Sequence, residues 1–498
     1  SLRDNAQTAT ATGSVSAQSI ALDASTITGE GLAADTGDNK SGLFADGDAI
    51  IGNVQTIDTE VSVVGGVVGN VIVSDIALDA NNGDVSDVTT STIEVTGNTQ
   101  SATATGVSTS NTLSLTSGAT MNAAGAVASV QSVDGDVFAS AVGNGIGNIN
   151  DAGNDLTDST LLTADNDVTS TATGASASNS LESTTATNNL DVALNAGVVN
   201  NSISNTFDLP RVTAGQALLN DQSMGSTASV LSETQDNIVA TEMGSDVNSS
   251  TVETDGNNMS SSATANEADN SVSLAFNELV GTISGTGTGV VAATANEQTL
   301  DDGAAVTAQT IGSDGTPIYA AADSDAVGSS VSTSDNTVSA TANGNVTFGN
   351  DVIVDATNVT SGSPAAPNIT IGGAMIARGS FVAASTQTSG ADILATQLDD
   401  GGTFSNIIRT EFGDDIEASS TVVSDDNVLS AVATANSANN AVQLGDDQSA
   451  TVAASGVVAN YQGTSAAGSI TSEIGTHGSD YSAAFTSLNS GSSANGTL

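Results

Sequence analysis

The chain has 498 residues, 56 of them Asp or Glu against five Lys or Arg, for a net charge of −51. A surface of that sign repels nucleic acid and anionic lipid, so neither is an expected partner. With no cysteine there are no disulfides, thiolate metal sites or thiol nucleophiles; with 38% hydrophobic residues but 2% aromatics and no Trp, the core is expected to be thin and built from small and β-branched side chains.

Taken in chain order, QTATATGSVSAQSIAL around Thr10 is the first copy of a segment that recurs in edited form around Thr103 (SATATGVSTSNTLSL), Thr171, Thr264, Thr341 and Thr434. The copies fall into pairs 93 residues apart, separated by gaps of 68 and 77. This spacing predicts three tandem super-repeats, residues 1–153, 154–325 and 326–460, each holding two copies. Residues 461–498 then form a terminal cap or a segment that pairs with another subunit. A longer alignment, Asn237–Asn266 with Asn406–Asn436, starts at an offset of 169 and ends at 170, so one residue has been inserted.

Gly, Ser, Thr, Asn and Asp interrupt every window long enough for a helix, whereas short period-2 alternations recur throughout. Leu113 and Leu115, Val272 with Leu274 and Phe276, Val352 with Val354, and Val442 with Leu444 are predicted inward positions of strands. The most apolar stretch, Glu60–Ala80, contains Gly65, Gly66 and Gly69; it is too glycine-rich for a membrane helix and is expected to be fully buried strands. Pro210 and the segment Ser361–Asn368 are expected at loops. Asp-Gly turns are predicted at Ala45, Val133, Leu300 and Leu398. The predicted fold is therefore all-β, an elongated β-solenoid in which each unit buries its apolar face against its neighbours.

Chemistry has little to work with. His477 is the sole histidine and Lys40 the sole lysine, neither with an identifiable catalytic partner, so no enzyme is expected. Asp79, Asn81, Gly83 and Asp84 are similar to an acidic calcium loop but lack its distal Glu; the expectation is no cofactor and no metal site, with calcium the one ion the acidity leaves open. The Thr-x-Thr pairs at Thr10 and Thr103 are expected not to form an ice-binding array, because they recur only every 68 to 93 residues. The acidity fits a solvated, aggregation-resistant surface, and halophily explains it equally well. Opening at Ser1, with no leader, the chain is expected to be a processed, secreted product without a membrane span.

Copies such as SATATGVSTSNTLSL and DNTVSATANGNVTFG resemble the repeats of secreted bacterial β-solenoid surface fibres and adhesins, and more narrowly the holdfast-anchor protein D type. The resemblance implies an exported, extracellular or cell-surface protein that polymerises and links the cell to an adhesive, a surface polysaccharide or a biofilm matrix. It transfers no functional residues. The expected function is a self-assembling structural subunit of an extracellular filament. The alternative is a monomeric adhesin stalk or tip that binds glycan or host surface, for which Tyr319 is the sole aromatic candidate.

Overall fold

The computed structural model describes residues 1–28, 34–38, 43–46, 48–75, 87–150, 155–185, 191–195, 211–276, 278–282, 291–311, 318–361, 369–371, 375–377, 379–398, 408–413, 415–417, 419–445, 450–475 and 486–489. Among them are 45 strands and no helix.

Strands Thr92–Thr96, Thr99–Asn122, Gly125–Val133, Asp136–Val142, Gly145–Asn150 and Leu156–Thr157 carry the chain once through six sheets. At Thr160–Ala164 it re-enters the first of these sheets and repeats the passage. Each passage, or round, lays a strand parallel to that of the round before; five of the sheets accumulate six rounds in chain order and that of Leu156–Thr157 five. Every copy of the Thr-centred segment lies in the same sheet, one per round: Thr103 pairs with Thr10 on one side and Thr171 on the other.

The recurring segment is a bend. In Thr99–Asn122 the inward residues are Ala102 and Ala104, then Val107, Thr109, Asn111, Leu113 and Leu115, so the alternation slips by one at Gly106. A Cβ on Gly106 would lie 2.5 Å from the carbonyl oxygen of Gly174 in the next round, which accounts for Gly in four of the six rounds; Ala265 and Ala435 stand at this position in the other two. Before the slip Ala104 shares a buried cluster with Val133, Val137 and Ala139; after it, Leu113 and Leu115 share one with Ile51, Val127 and Leu218. The predicted inward residues line up in columns, Ile20, Leu113, Leu181, Val272, Val352 and Val442 in one and Leu22, Leu115, Ser183, Leu274, Val354 and Leu444 in the next.

Round lengths alternate for a physical reason. Asparagines in identical positions of successive rounds are 93, 68, 91, 79 and 91 residues apart. The shortest round passes directly from Asn122 to Gly125, whereas the others insert strands at that point. Rounds three to six each add one strand of a parallel sheet, Asp191–Asn195, Glu278–Thr282, Asn358–Ser361 and Thr451–Ala453. The longer rounds add more: Ala34–Asp38, Leu43–Asp46 and Arg211–Ala214, joined antiparallel, in rounds one and three, and the antiparallel pair Ile369–Ile371 and Met375–Ala377 in round five. Two of the spacings differ from the sequence expectation of 93 by two residues, because Thr264 pairs with Thr173 and Thr434 with Asn343. The inserted residue seen at offset 169 to 170 falls in the turn between Glu417 and Ser420, since Ile416 still aligns with Val247 and Thr421 already aligns with Thr251.

The stretch from Glu60 is not fully buried. Strand Ser62–Val68 alternates, with Val63, Gly65 and Val67 inward, while Val64, Val68 and Val71 are 54%, 65% and 62% exposed. One sheet face meets the core and the other meets water. Gly65 faces inward, where a Cβ would reach the Thr103 carbonyl oxygen, and Gly69 turns a corner at φ 66°. Residues 76–80 lie outside the described residues, as do Pro210 and residues 362–368. Strand Gly456–Thr464 runs across position 460/461 and, like Ile470–Gly475, pairs parallel with the fifth round.

Candidate assembly edges

Three corners share one device, the third of them over the first three rounds among the described residues. The chain turns through a left-handed residue, and the next residue's side chain satisfies a backbone group of the neighbouring round. At the first corner the left-handed residues are Asp4, Gly97, Asp165, Gly256, Asp335 and Asp426. Asp and Gly alternate over the first four rounds because a Cβ at Gly97 or Gly256 would collide with the carboxylate of Asp4 or Asp165. Each is followed by Asn. The Asn5 backbone N–H donates to Asn98 Oδ1 at 3.0 Å, Asn98 to Asn166 at 3.0 Å, Asn166 to Asn257 at 3.0 Å, Asn257 to Asn336 at 3.0 Å and Asn336 to Asn427 at 3.1 Å. Every side-chain amide in the series donates in the same direction as well. A serine ladder at the second corner, Ser91, Ser159, Ser250, Ser329 and Ser420, has the same direction, as does Asn70 to Asn144 to Asn237 at the third. Such ladders satisfy backbone donors that a buried turn would otherwise orphan.

Inside the fold runs a ladder of opposite direction. Gln131 Nε2 donates to Gln55 Oε1, Gln222 to Gln131, Gln298 to Gln222, Gln387 to Gln298 and Gln462 to Gln387, at 2.7 to 3.1 Å. The asparagine column of the first corner and the glutamine column stop at the first and sixth rounds, whose strands in the sheets shared by all six rounds pair on one side only among the described residues. There the apolar side chains Leu22, Val428, Val432, Ile470 and Ile474 are exposed. An open strand edge of this kind is a template for another strand.

The sequence-selected residues fall as follows. His477, Lys40 and Asp79–Asp84 lie outside the described residues. Among the described residues no group of three or more His, Cys, Asp or Glu is placed to hold a metal ion, and no helix is long and apolar enough to cross a membrane. Tyr319 sits on strand Ile318–Ala322, where its hydroxyl donates to Glu242 at 2.6 Å and Arg409 lies 5.7 Å from its ring centre. The Asp-Gly turns at Val133 and Leu300 join successive strands; Gly303 has φ 96°, but Gly135 has no positive φ and is instead wedged against the carbonyls of Val61 and Asp58. The spacing argument about the Thr-x-Thr pairs fails, although no unbroken array results. A round is as long as their spacing, so Thr10 and Thr12, Thr103 and Thr105, and Thr171 and Thr173 stack at about 4.8 Å on the outward face. Ser262, Asn343 and Val432 interrupt this array in the later rounds.

The acidic groups feel each other through the same stacking. Burial raises the pKa of Asp155, and its stacked neighbours Asp246 and Asp87 raise it further. Burial also raises Glu233, Glu253 and Asp351, with Asp236, Asp255 and Asp269 respectively adding to it. At the exposed Asp392 the hydroxyl and backbone N–H of Ser469 lower the pKa. A carboxyl raised in the fold binds its proton more tightly there than in the unfolded chain, so its contribution to stability is lost as pH rises through the folded pKa and is complete below the ordinary value. With four groups raised against one lowered, the melting temperature should rise as the pH falls from 7 toward the ordinary carboxylate range, about pH 4. Measuring it in about 1 M salt removes the general repulsion of the net charge. A flat or falling melting temperature over that interval would contradict the assignment.

Comparisons with protein-family models, with curated proteins and with solved structures found no match.

Proposed function

We propose that the protein is a β-solenoid whose rounds form one continuous stack, and that it serves as the structural subunit of an extracellular filament in adhesion or matrix formation. The observation that carries the proposal is that the first and sixth rounds present strand edges with no partner strand among the described residues, flanked by exposed apolar side chains. The acidic outer surface keeps stacks apart laterally at low salt and leaves the edges as the favoured contact. The proposal includes no catalytic step and no cofactor.

The second reading, a monomeric adhesin that binds glycan, is favoured by one feature: an open crevice lined by Asp301, Asp302, Ser389, Tyr461 and Ser465. Negative-stain electron microscopy of the purified chain, with and without millimolar calcium, separates the two. Filaments of uniform width and many molecules long are expected. Isolated particles under both conditions would sink the filament proposal and move attention to the crevice.

A further inference from the structure

Resting on the filament proposal, we infer that copies join head to tail, the sixth round of one copy receiving the first round of the next in the same register that links rounds within a chain. Three independent columns point to this partner and this direction.

The corner ladder comes first. Asn5 to Asn336 each donate toward the following round, so the series begins on the side-chain oxygen of Asn5 and ends on the backbone N–H of Asn427. Donor meets acceptor only if Asn427 of one copy faces Asn5 of another. The glutamine ladder runs the opposite way and gives the same answer. In rounds two to six each Gln Nε2 donates to the preceding round's Gln and, in rounds two to five, also to a backbone carbonyl of the long strand. Gln55 Nε2 keeps the carbonyl bond, to Ser108, but sends its other hydrogen to the Ser14 hydroxyl at 3.1 Å. In a joined copy that hydrogen goes to Gln462 Oε1, the acceptor on which the ladder ends. Joining first round to first round, or sixth to sixth, would set like groups against like in both ladders.

Charge is the third column. Arg3 stands in register with Thr96, Ala164, Asp255, Ser334 and Asp425. Extending the column by one step places Arg3, one of five basic residues in the chain, opposite Asp425 of the preceding copy. Arg3 already forms an ion pair with Glu94 and is 54% exposed, so its guanidinium can serve both carboxylates. The strand positions that would meet are otherwise matched in kind: Val442 with Ile20, Leu444 with Leu22, Ile470 with Val63 and Asn460 with Asn53. One pair opposes the join, the corner aspartates Asp426 and Asp4, so salt should favour it.

Because the chain lacks cysteine, introduced thiols report the contact cleanly. Extending the register puts Thr8 opposite Ser430 of the preceding copy. Thr8→Cys and Ser430→Cys chains of different mass, mixed and treated with a short bis-thiol cross-linker, are expected to give the mixed dimer in at least tenfold excess over either homodimer. Asp425→Arg, at an exposed position, is expected to raise the concentration needed for polymerisation roughly fivefold at low salt and little at high salt. If filaments form but only Thr8–Thr8 or Ser430–Ser430 products appear, the head-to-tail join is wrong and the filament proposal survives. If cross-links are absent and no filament forms, both fall.

Discussion

Leu113→Pro is expected to prevent the stack from forming around the second round. Leu113 is fully buried and its strand is paired on both sides, to Ile20 and to Leu181. Proline removes the backbone N–H from the middle of that sheet, where Pro is otherwise found only at edges or bulges. The orphaned carbonyl costs about 1–3 kcal/mol, and the lost leucine packing another 2–5 kcal/mol, roughly. Leu113→Ala should show the packing part alone. Val442→Pro, at the corresponding position of the sixth round, has one pairing neighbour and a partly buried side chain. It should leave the monomer folded but abolish polymer. Far-ultraviolet circular dichroism and pelleting of polymer read the three variants. Normal strand content and filament yield in Leu113→Pro would remove the strand assignment.

The second large effect is expected at Asn257→Ala. Asn257 Oδ1 accepts both the backbone N–H and the side-chain amide of Asn166, while its own amide donates to Thr163 O and Asn336 Oδ1. Alanine leaves the buried donors of Asn166 without that acceptor, a loss of about 3 kcal/mol. The loss should be local. Hydrogen exchange should rise in rounds three and four, while rounds one and six keep their protection, since each round touches only its neighbours. A uniform change across all rounds, or none, would argue against the ladder as the source of corner stability. Asn5→Ala, at the open end, should leave exchange within the monomer nearly unchanged.

Much of the architecture is legible in the sequence, and the limits have a physical origin. The inward columns of Leu113, Val272, Val352 and Val442 follow from alternation alone. The repeat spacing was readable to within two residues. In a run of Thr, Ala and Ser, a shift of two keeps every side chain on its own face, so burial does not distinguish Thr171 from Thr173 as the partner of Thr264. A second mark was present in the chain, Asp or Gly followed by Asn at Asn5, Asn98, Asn166, Asn257, Asn336 and Asn427, but the same dipeptide recurs elsewhere, as at Asn70, Asn144 and Asn237, so it fixes the register only together with the repeat spacing. The glycine slip was also readable, because even-numbered Ala102 and Ala104 and odd-numbered Leu113 and Leu115 cannot share a face unless one residue between them breaks phase. The assembly edges were harder to place. Whether a strand is first or last in its sheet depends on what stacks beside it, and the local pattern of Val428 is no different from that of its paired equivalent Thr337.

The direction of the hydrogen bonds has a mechanical consequence. Each round advances the stack by about 4.8 Å, so in the proposed filament one chain of 48.4 kDa would add about 29 Å of length, a mass per unit length that scanning transmission microscopy can weigh. A pull along the stack loads every hydrogen bond of a layer at once, since all of them point along the line of force. A force that peels one edge meets them one after another. A tether built this way would hold under tension yet release by fraying from an end.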